Sequence, residues 1–375
     1  MIRQITIKGF KSLHDVTVDL GPVTVLVGRS GTGKSNFVDA IRFLRELLIG
    51  GSEIQNRLRA PRWIAPNGRK SFAIEFVVHF SIEGIADEFL YELSLTIGEQ
   101  QRNPSESLRL GAKQLFSLRN GKWDVAPSIQ PEPKVEFPML GRLPSLSEAV
   151  IAYSALTSGI GCYEFPYGVL KSKDSNTDRV TGLDDKAANF LGVMKGIYSN
   201  LRELNLRKSI LAAVVSVNPT VSAIELNDIR KPENALVTHE FGGEKLQFSL
   251  AQESEGFRRF LAHLLAIYQD PPKQLLIFEE PENGIYPGAL ELLASELRSA
   301  PELNRGQVLL TTHSPGLLDH FRVDDLRVVT LVDGKTKIGP VTAEQAEGVR
   351  EGLLSTGELL TVDPARIAES EATPA

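Results

Sequence analysis

The residues Gly28, Arg29, Ser30, Gly31, Thr32, Gly33, Lys34, Ser35 and Asn36 read GRSGTGKSN. Gly28, Gly33, Lys34 and Ser35 fit the spacing G-x-x-x-x-G-K-[ST], in which backbone N–H groups converge on phosphate oxygens. A lysine so placed reaches the β- and γ-phosphates of a nucleoside triphosphate such as ATP, and the Ser35 hydroxyl is offered to Mg²⁺. Much later, Glu279 and Glu280 close the apolar run LLIF. A carboxylate ending a parallel strand beside a phosphate loop is where Mg²⁺ and the attacking water are held. His313 ends a further apolar run in QVLLTTHSP, where an imidazole can hydrogen-bond a γ-phosphate. Ser254 and Gly256, in QESEGFRRFL, stand where a helix starts and its N–H groups face outward.

Such residues need elements to hold them. The β-branched run 23–27 predicts a buried strand and 37–48 a helix, which is the strand, loop and helix that the phosphate chemistry requires. From residue 254 onward helix and strand signals alternate over 256–268, 274–278, 287–299 and 307–311, which argues for a parallel sheet. A closing hairpin is expected from 326–331 and 336–340 around Asp333-Gly334. Alternation at 2–8 and 16–20 predicts half-buried strands, and 71–81, 89–97, 107–118 and 122–125 an antiparallel meander with its last turn at Asn120-Gly121. Five prolines make 126–144 a connector. Helices are expected at 146–156, 185–206 and 209–217, an exposed loop at 171–178, and strands again at 221–226, 236–241 and 245–250. There is no internal repeat and no heptad run long enough for a coiled-coil arm.

Composition narrows the class. With 375 residues the chain exceeds the size at which one core stops growing, and its 42% hydrophobic and 23% charged content is that of a globular protein. No run of about eighteen apolar residues is present, so no membrane span is expected, and the opening MIRQITIKGF lacks a signal-peptide core, which makes the cytoplasm the expected location. Cys162 stands alone, which excludes an internal disulfide or a cysteine-based metal cluster. A net charge of −6 means that any contact with DNA must come from a local patch. One basic stretch, 49–70, sets Arg57, Arg59, Arg62, Arg69 and Lys70 around Trp63, but its breakers and the acidic balance favour a solvated loop.

The phrase GFKSLHDVTVDL followed by the phosphate loop resembles the opening of ABC-type ATPases of the RecF, SMC and OLD group. The chain is similar to the stand-alone RecF-like ATPases of that group over nearly its whole length. The resemblance implies an α/β P-loop ABC-ATPase head with a mixed sheet, an N-terminal antiparallel β subdomain and an inserted helical lobe. It assigns 1–48 to the first part of the head, 49–125 to a loop and the β subdomain, 126–250 to a connector, the helical lobe and returning strands, and 251–364 to the second part of the head, while the small, polar composition of 365–375 predicts a disordered tail. Glu279 takes the position of the Walker B acid, usually aspartate, and Glu280 that of the general base. PENGIYP resembles the D-loop, which usually ends Leu-His-Pro, and His313 matches the switch histidine. Ser254 and Gly256 match a degenerate signature that contacts the γ-phosphate held by a second protomer, with Arg258 or Arg259 nearby. Between residues 140 and 163 no glutamine stands where the group carries its Q-loop glutamine.

The resemblance therefore implies an ATPase that sandwiches ATP and Mg²⁺ between two copies, in a homodimer or a higher even-numbered assembly. Two uses are open at this level. One is a switch in DNA repair or anti-phage defence that works with an effector; the other is a nucleotide-gated scaffold that sequesters and releases a nuclease or toxin with little turnover of its own.

Overall fold

Alternating apolar residues build the first sheet of the computed structural model, which describes residues 1–50, 71–98, 104–125, 138–171, 182–199, 204–227 and 232–368. Most of the basic stretch with Trp63, the greater part of the proline-rich connector, most of the 171–178 loop and most of the tail lie outside these residues. The chain divides into two compact units.

In the first unit, β1 (Ile2–Phe10) and β2 (Leu13–Asp19) bury Ile5, Ile7, Phe10, Leu13, Val16 and Val18 on one face. They join β4 (Ser71–Phe80), β5 (Phe89–Gly98), β6 (Ser105–Leu110), β7 (Lys113–Arg119) and β8 (Lys122–Val125) in a seven-stranded antiparallel sheet of order β2-β1-β4-β5-β6-β7-β8. The strand expected over 107–118 is two strands, because the chain reverses at Gly111, whose N–H donates back to Glu88 O. Helix α1 (Lys34–Gly50) packs on the buried face through Phe43, which lies 5.5 Å from Phe10 and 6.1 Å from Phe76 between ring centroids. β3 (Val23–Val27), buried throughout, pairs in parallel with β15 (Leu326–Val332), and β15 pairs antiparallel with β16 (Lys335–Gly339) around the expected Asp333-Gly334 turn. Helices α2 (Ser147–Leu156) and α8 (Ala343–Arg350) complete the unit.

Among the described residues of this unit, one glutamate carboxylate is buried. Glu106 accepts from the Tyr91 hydroxyl at 2.8 Å and from the N–H groups of Met139 and Leu140 at 2.5 and 2.9 Å, so it anchors the turn Leu140–Arg142 to the sheet. Burial pushes its pKa up to about 7, against the opposing pull of those three donors. The folded chain therefore holds this proton more tightly than the unfolded chain does. Stability contributed by the protonated form is present below the ordinary carboxylate value and is lost as pH rises toward 7, by roughly 3 kcal/mol in all. Glu106→Gln is expected to flatten the fall of Tm between pH 5 and 7.5, measured by thermal unfolding; an unchanged slope would assign that fall to other groups.

The second unit carries the parallel strands β13 (Leu275–Glu279) and β14 (Gln307–Thr311), with β9 (Ile160–Tyr163) next to β13. β9 is too short and too uniformly apolar to show a period in the sequence. α5 (Glu255–Tyr268) and α6 (Leu290–Ser299) pack together, and α3 (Phe190–Ser199) and α4 (Leu204–Val217) pack on α5. The single helix expected over 185–206 starts only at Phe190. Ahead of it the Asp184 carboxylate accepts from the N–H groups of Lys186, Ala188 and Asn189 and holds a turn instead. β10 (Val221–Leu226), β11 (Ala235–Phe241) and β12 (Glu244–Ser249) form a three-stranded antiparallel sheet, and the short α7 (Pro315–Leu318) and α9 (Glu358–Thr361) close the unit. Among the described residues no helix is long and apolar enough to cross a membrane.

Candidate nucleotide site

β3 ends at Val27, and the next nine residues turn back over the start of α1, whose first backbone bond runs from Phe37 N to Gly33 O at 3.0 Å. Two glycines are required here by close approach. A Cβ on Gly28 would lie 2.2 Å from Val329 O, and one on Gly33 would lie 2.1 Å from Thr336 Oγ1 and 3.0 Å from Ser12 Oγ. Gly33 also has φ +108°, a conformation that other residues rarely adopt. Gly31, at the crest, has open space where its side chain would be.

A chain of hydroxyls backs this loop. Asn36 Nδ2 donates to Ser12 Oγ at 2.7 Å, Ser12 and Thr336 hydroxyls lie 2.7 Å apart, and Thr336 Oγ1 donates to Thr32 O at 2.7 Å. Thr32 in turn donates its hydroxyl to Arg29 O at 2.9 Å. The buried Lys34 ammonium sits within the loop, donating to Gly28 O at 2.7 Å and Arg29 O at 3.0 Å. Ser35, Arg29 and Ser30 are exposed. An ammonium inside a glycine loop, an exposed hydroxyl beside it and the N-terminus of a 17-residue helix form the donor set that a triphosphate with Mg²⁺ requires.

In the second unit, Glu279 and Glu280 stand at the end of β13 and His313 just past the end of β14. Glu280 has φ +45°, a strained backbone for a side chain of this kind, and is held there by bonds from its N–H to Thr311 O (3.1 Å) and Thr311 Oγ1 (3.2 Å). Its Oε1 lies 3.6 Å from His313 Nε2, and both side chains are partly open to solvent. Glu282 was not singled out by its spacing, yet its Oε1 accepts from the Thr312 hydroxyl at 2.7 Å and from His313 N–H at 3.0 Å, so it fixes the segment that presents the histidine.

Ser254 is the N-cap of α5, accepting from Phe257 N–H at 3.2 Å, and Gly256 lies in the first turn. Glu255 is tied to the Gly168 N–H at 3.0 Å, to Arg259 Nε at 3.0 Å and to Arg258. Burial alone would raise its pKa, but the bonds from Arg259, Gly168 and Arg258 outweigh it and hold the carboxylate below its ordinary range. Arg258 is fully buried and also donates to Val169 O (3.0 Å) and to the Glu253 carbonyl, which makes it the strut of the helix start rather than an exposed ligand. His263, on the same helix, packs against Phe165 and Phe278, and burial lowers its pKa to about 4.

A buried strand leading through a glycine loop into a helix in the first unit, and parallel strands followed by paired acids and a histidine in the second, are elements of the P-loop ATPase fold. The chain belongs to the family described as "AAA domain, putative AbiEii toxin, Type IV TA system", whose model matches residues 23–319. It is similar to the OLD nuclease of Thermus scotoductus (strain ATCC 700910 / SA-01), 34% identical over 84 residues, which is 21% of this chain and 14% of that protein. The chain thus spans only a small part of that relative's length. Among solved structures, an SMC head bound to the C-winged helix domain of ScpA is 16% identical and covers 92% of this chain and 99% of its own, with a TM-score of 0.58. An SMC head domain with an extended coiled coil, bound to the C-terminal domain of ScpA derived from Pyrococcus furiosus, is 15% identical, covers 94% and 99%, and has a TM-score of 0.56. At these identities the likeness is one of fold.

Proposed function

We propose that the chain binds Mg·ATP on the 28–36 loop, dimerises around it, and uses hydrolysis to time the release of that assembly. The observation that carries the reading is the glycine cradle, which closes around the Lys34 ammonium and is backed by Thr336 and Ser12. Lys34 binds the β- and γ-phosphates, Ser35 and Glu279 hold the metal, and Ser254 with Gly256 of one protomer contacts the γ-phosphate held by the other. When bound, Mg²⁺ neutralises the charge that gathers on the transferred phosphoryl group. Glu280 takes a proton from the attacking water as its oxygen bonds to phosphorus and the bond to ADP breaks, and His313 hydrogen-bonds the γ-phosphate and registers its loss.

Such a switch acts through another molecule. A defence or repair role with a nuclease or toxin as effector is supported by the relative's name, OLD nuclease, and by the toxin–antitoxin system named in the family description. The same description supports the second reading, a scaffold that gates a toxin partner with little turnover. Co-purification of a partner released by Mg·ATP with negligible phosphate production favours the scaffold; DNA-stimulated turnover favours the switch on DNA.

The test is the solution mass of Glu280→Gln protein with and without Mg·ATP, with Ser254→Arg added in a parallel sample. An arginine at the α5 N-cap removes the cap and puts a bulky cation where the phosphate is to sit, so the expected result is an ATP-dependent doubling of mass that Ser254→Arg abolishes. A mass indifferent to both would overturn the sandwich.

A further inference from the structure

The loop after Glu280 makes contacts that the roles given so far do not use. Asn283 Nδ2 donates to Glu280 Oε2 at 2.8 Å, and Asn283 N–H donates to Glu280 O at 3.0 Å, so one residue holds both the carboxylate and the backbone of the acid. The other carboxylate oxygen, Oε1, faces His313 Nε2 at 3.6 Å. Asn283 is itself held from α5, because Arg259 NH1 donates to the Asn283 carbonyl at 2.7 Å while Arg259 Nε is fixed by Glu255 Oε1 at 3.0 Å. The Arg259 side chain is largely buried, at 14% exposure, and a Cβ on the neighbouring Gly284 would lie 3.1 Å from it. The connection runs without a gap from Glu255, one residue past the N-cap Ser254, through Arg259 and Asn283 to Glu280.

We propose that Asn283 is a positioning residue for Glu280 and that Arg259 acts through Asn283, so that the start of α5 sets the aim of the acid. The proposal rests on Glu280 being the general base. A carboxylate on a strained backbone has several rotamers open to it, and a charge-assisted bond from a fixed amide selects one and leaves the second oxygen free to take a proton. A misaimed base slows the chemical step without weakening the grip of the phosphate loop on ATP, since geometry errors of about 1 Å cost on the order of 100-fold in rate. An aspartate at 283 has nearly the same shape but cannot donate, and sets a second negative charge against Glu280.

The experiment measures kcat, KM and Mg·ATP affinity for Asn283→Asp, Asn283→Ala, Arg259→Lys, Arg259→Ala and the pair Arg259→Ala with Asn283→Ala, with Tm recorded for each. Expected is a fall in kcat of about 10-fold or more for both Asn283 variants with affinity within about 2-fold of the parent. Arg259→Ala should lower kcat in the parent but not further in Asn283→Ala, because its effect passes through the asparagine. Parental kcat in Asn283→Asp, or strictly multiplicative losses in the pair, would overturn the proposal. So would kcat and ATP affinity falling together, which is the mark of a merely structural role. A Glu280→Gln control separates the two failures: if it turns over at the parental rate, the assignment of the base has failed; if it is inactive while Asn283→Asp is unimpaired, only the positioning has failed.

Discussion

Glu280→Gln is expected to cut phosphate release at saturating Mg·ATP by roughly 100- to 10,000-fold, the range a general base contributes, while the protein retains ATP at least as well as the parent. The side chain keeps its length and its capacity to bond with a neighbouring donor, and loses the basicity that draws a proton from water. Its backbone conformation, φ +45°, is set by two bonds to Thr311 that the substitution leaves in place, so the fold at the end of β13 should be unchanged. His313→Ala should cost less, since the imidazole lies 3.6 Å from the carboxylate and its proposed part is a hydrogen bond to the γ-phosphate rather than the proton transfer itself. Turnover in Glu280→Gln within about 3-fold of the parent would move the base elsewhere.

Gly33→Ala is expected to remove nucleotide binding, lowering affinity by more than about 100-fold in equilibrium titration, since the loop must open to admit one methyl group. That methyl would sit 2.1 Å from Thr336 Oγ1, and the backbone has φ +108°. Thr336 is not free to turn away, because its hydroxyl is committed to Thr32 O and Ser12. Gly31→Ala is the comparison. It has φ +78° but nothing within 4 Å of its Cβ, so it should suffer only the backbone cost, about 1 kcal/mol. Adding Thr336→Ala to Gly33→Ala should restore part of the binding, since it removes the atom struck as well as a bond. Equal losses at positions 31 and 33 would show that packing behind the loop is irrelevant.

The parts of the site that were legible in the sequence are those whose chemistry demands adjacent residues. A phosphate loop needs its strand, glycines, lysine and helix in unbroken order, and β3 came out at Val23–Val27 as its composition requires. The placing of the acids and the histidine at or just past the ends of short apolar strands was legible too. What supports them was not. Ser12 and Thr336 are two ordinary hydroxyl residues separated by 324 positions, and no local pattern marks their contact. Glu282 and Asn283 read as loop residues, since a turn is polar whether or not it aims a catalytic group. The split of 107–118 into β6 and β7, and the late start of α3, have the same origin: a single reversal at Gly111 and a single carboxylate at Asp184 override a continuing hydrophobic pattern.

The hydroxyl chain behind the phosphate loop also sets a schedule for synthesis. Thr32 and Thr336 lie 304 residues apart, and β3 gains its parallel partner β15 only when residues 326–332 have been made. At about 5–20 residues per second the ribosome needs roughly 15–60 s to cover that interval. During it the nascent chain carries a glycine loop with no backing and a strand β3 that lacks β15 beside it. The phosphate loop thus gains its backing only once residues 326–336 have been made, and a chain cut before that hairpin carries every residue of the phosphate motif without the wall that shapes it.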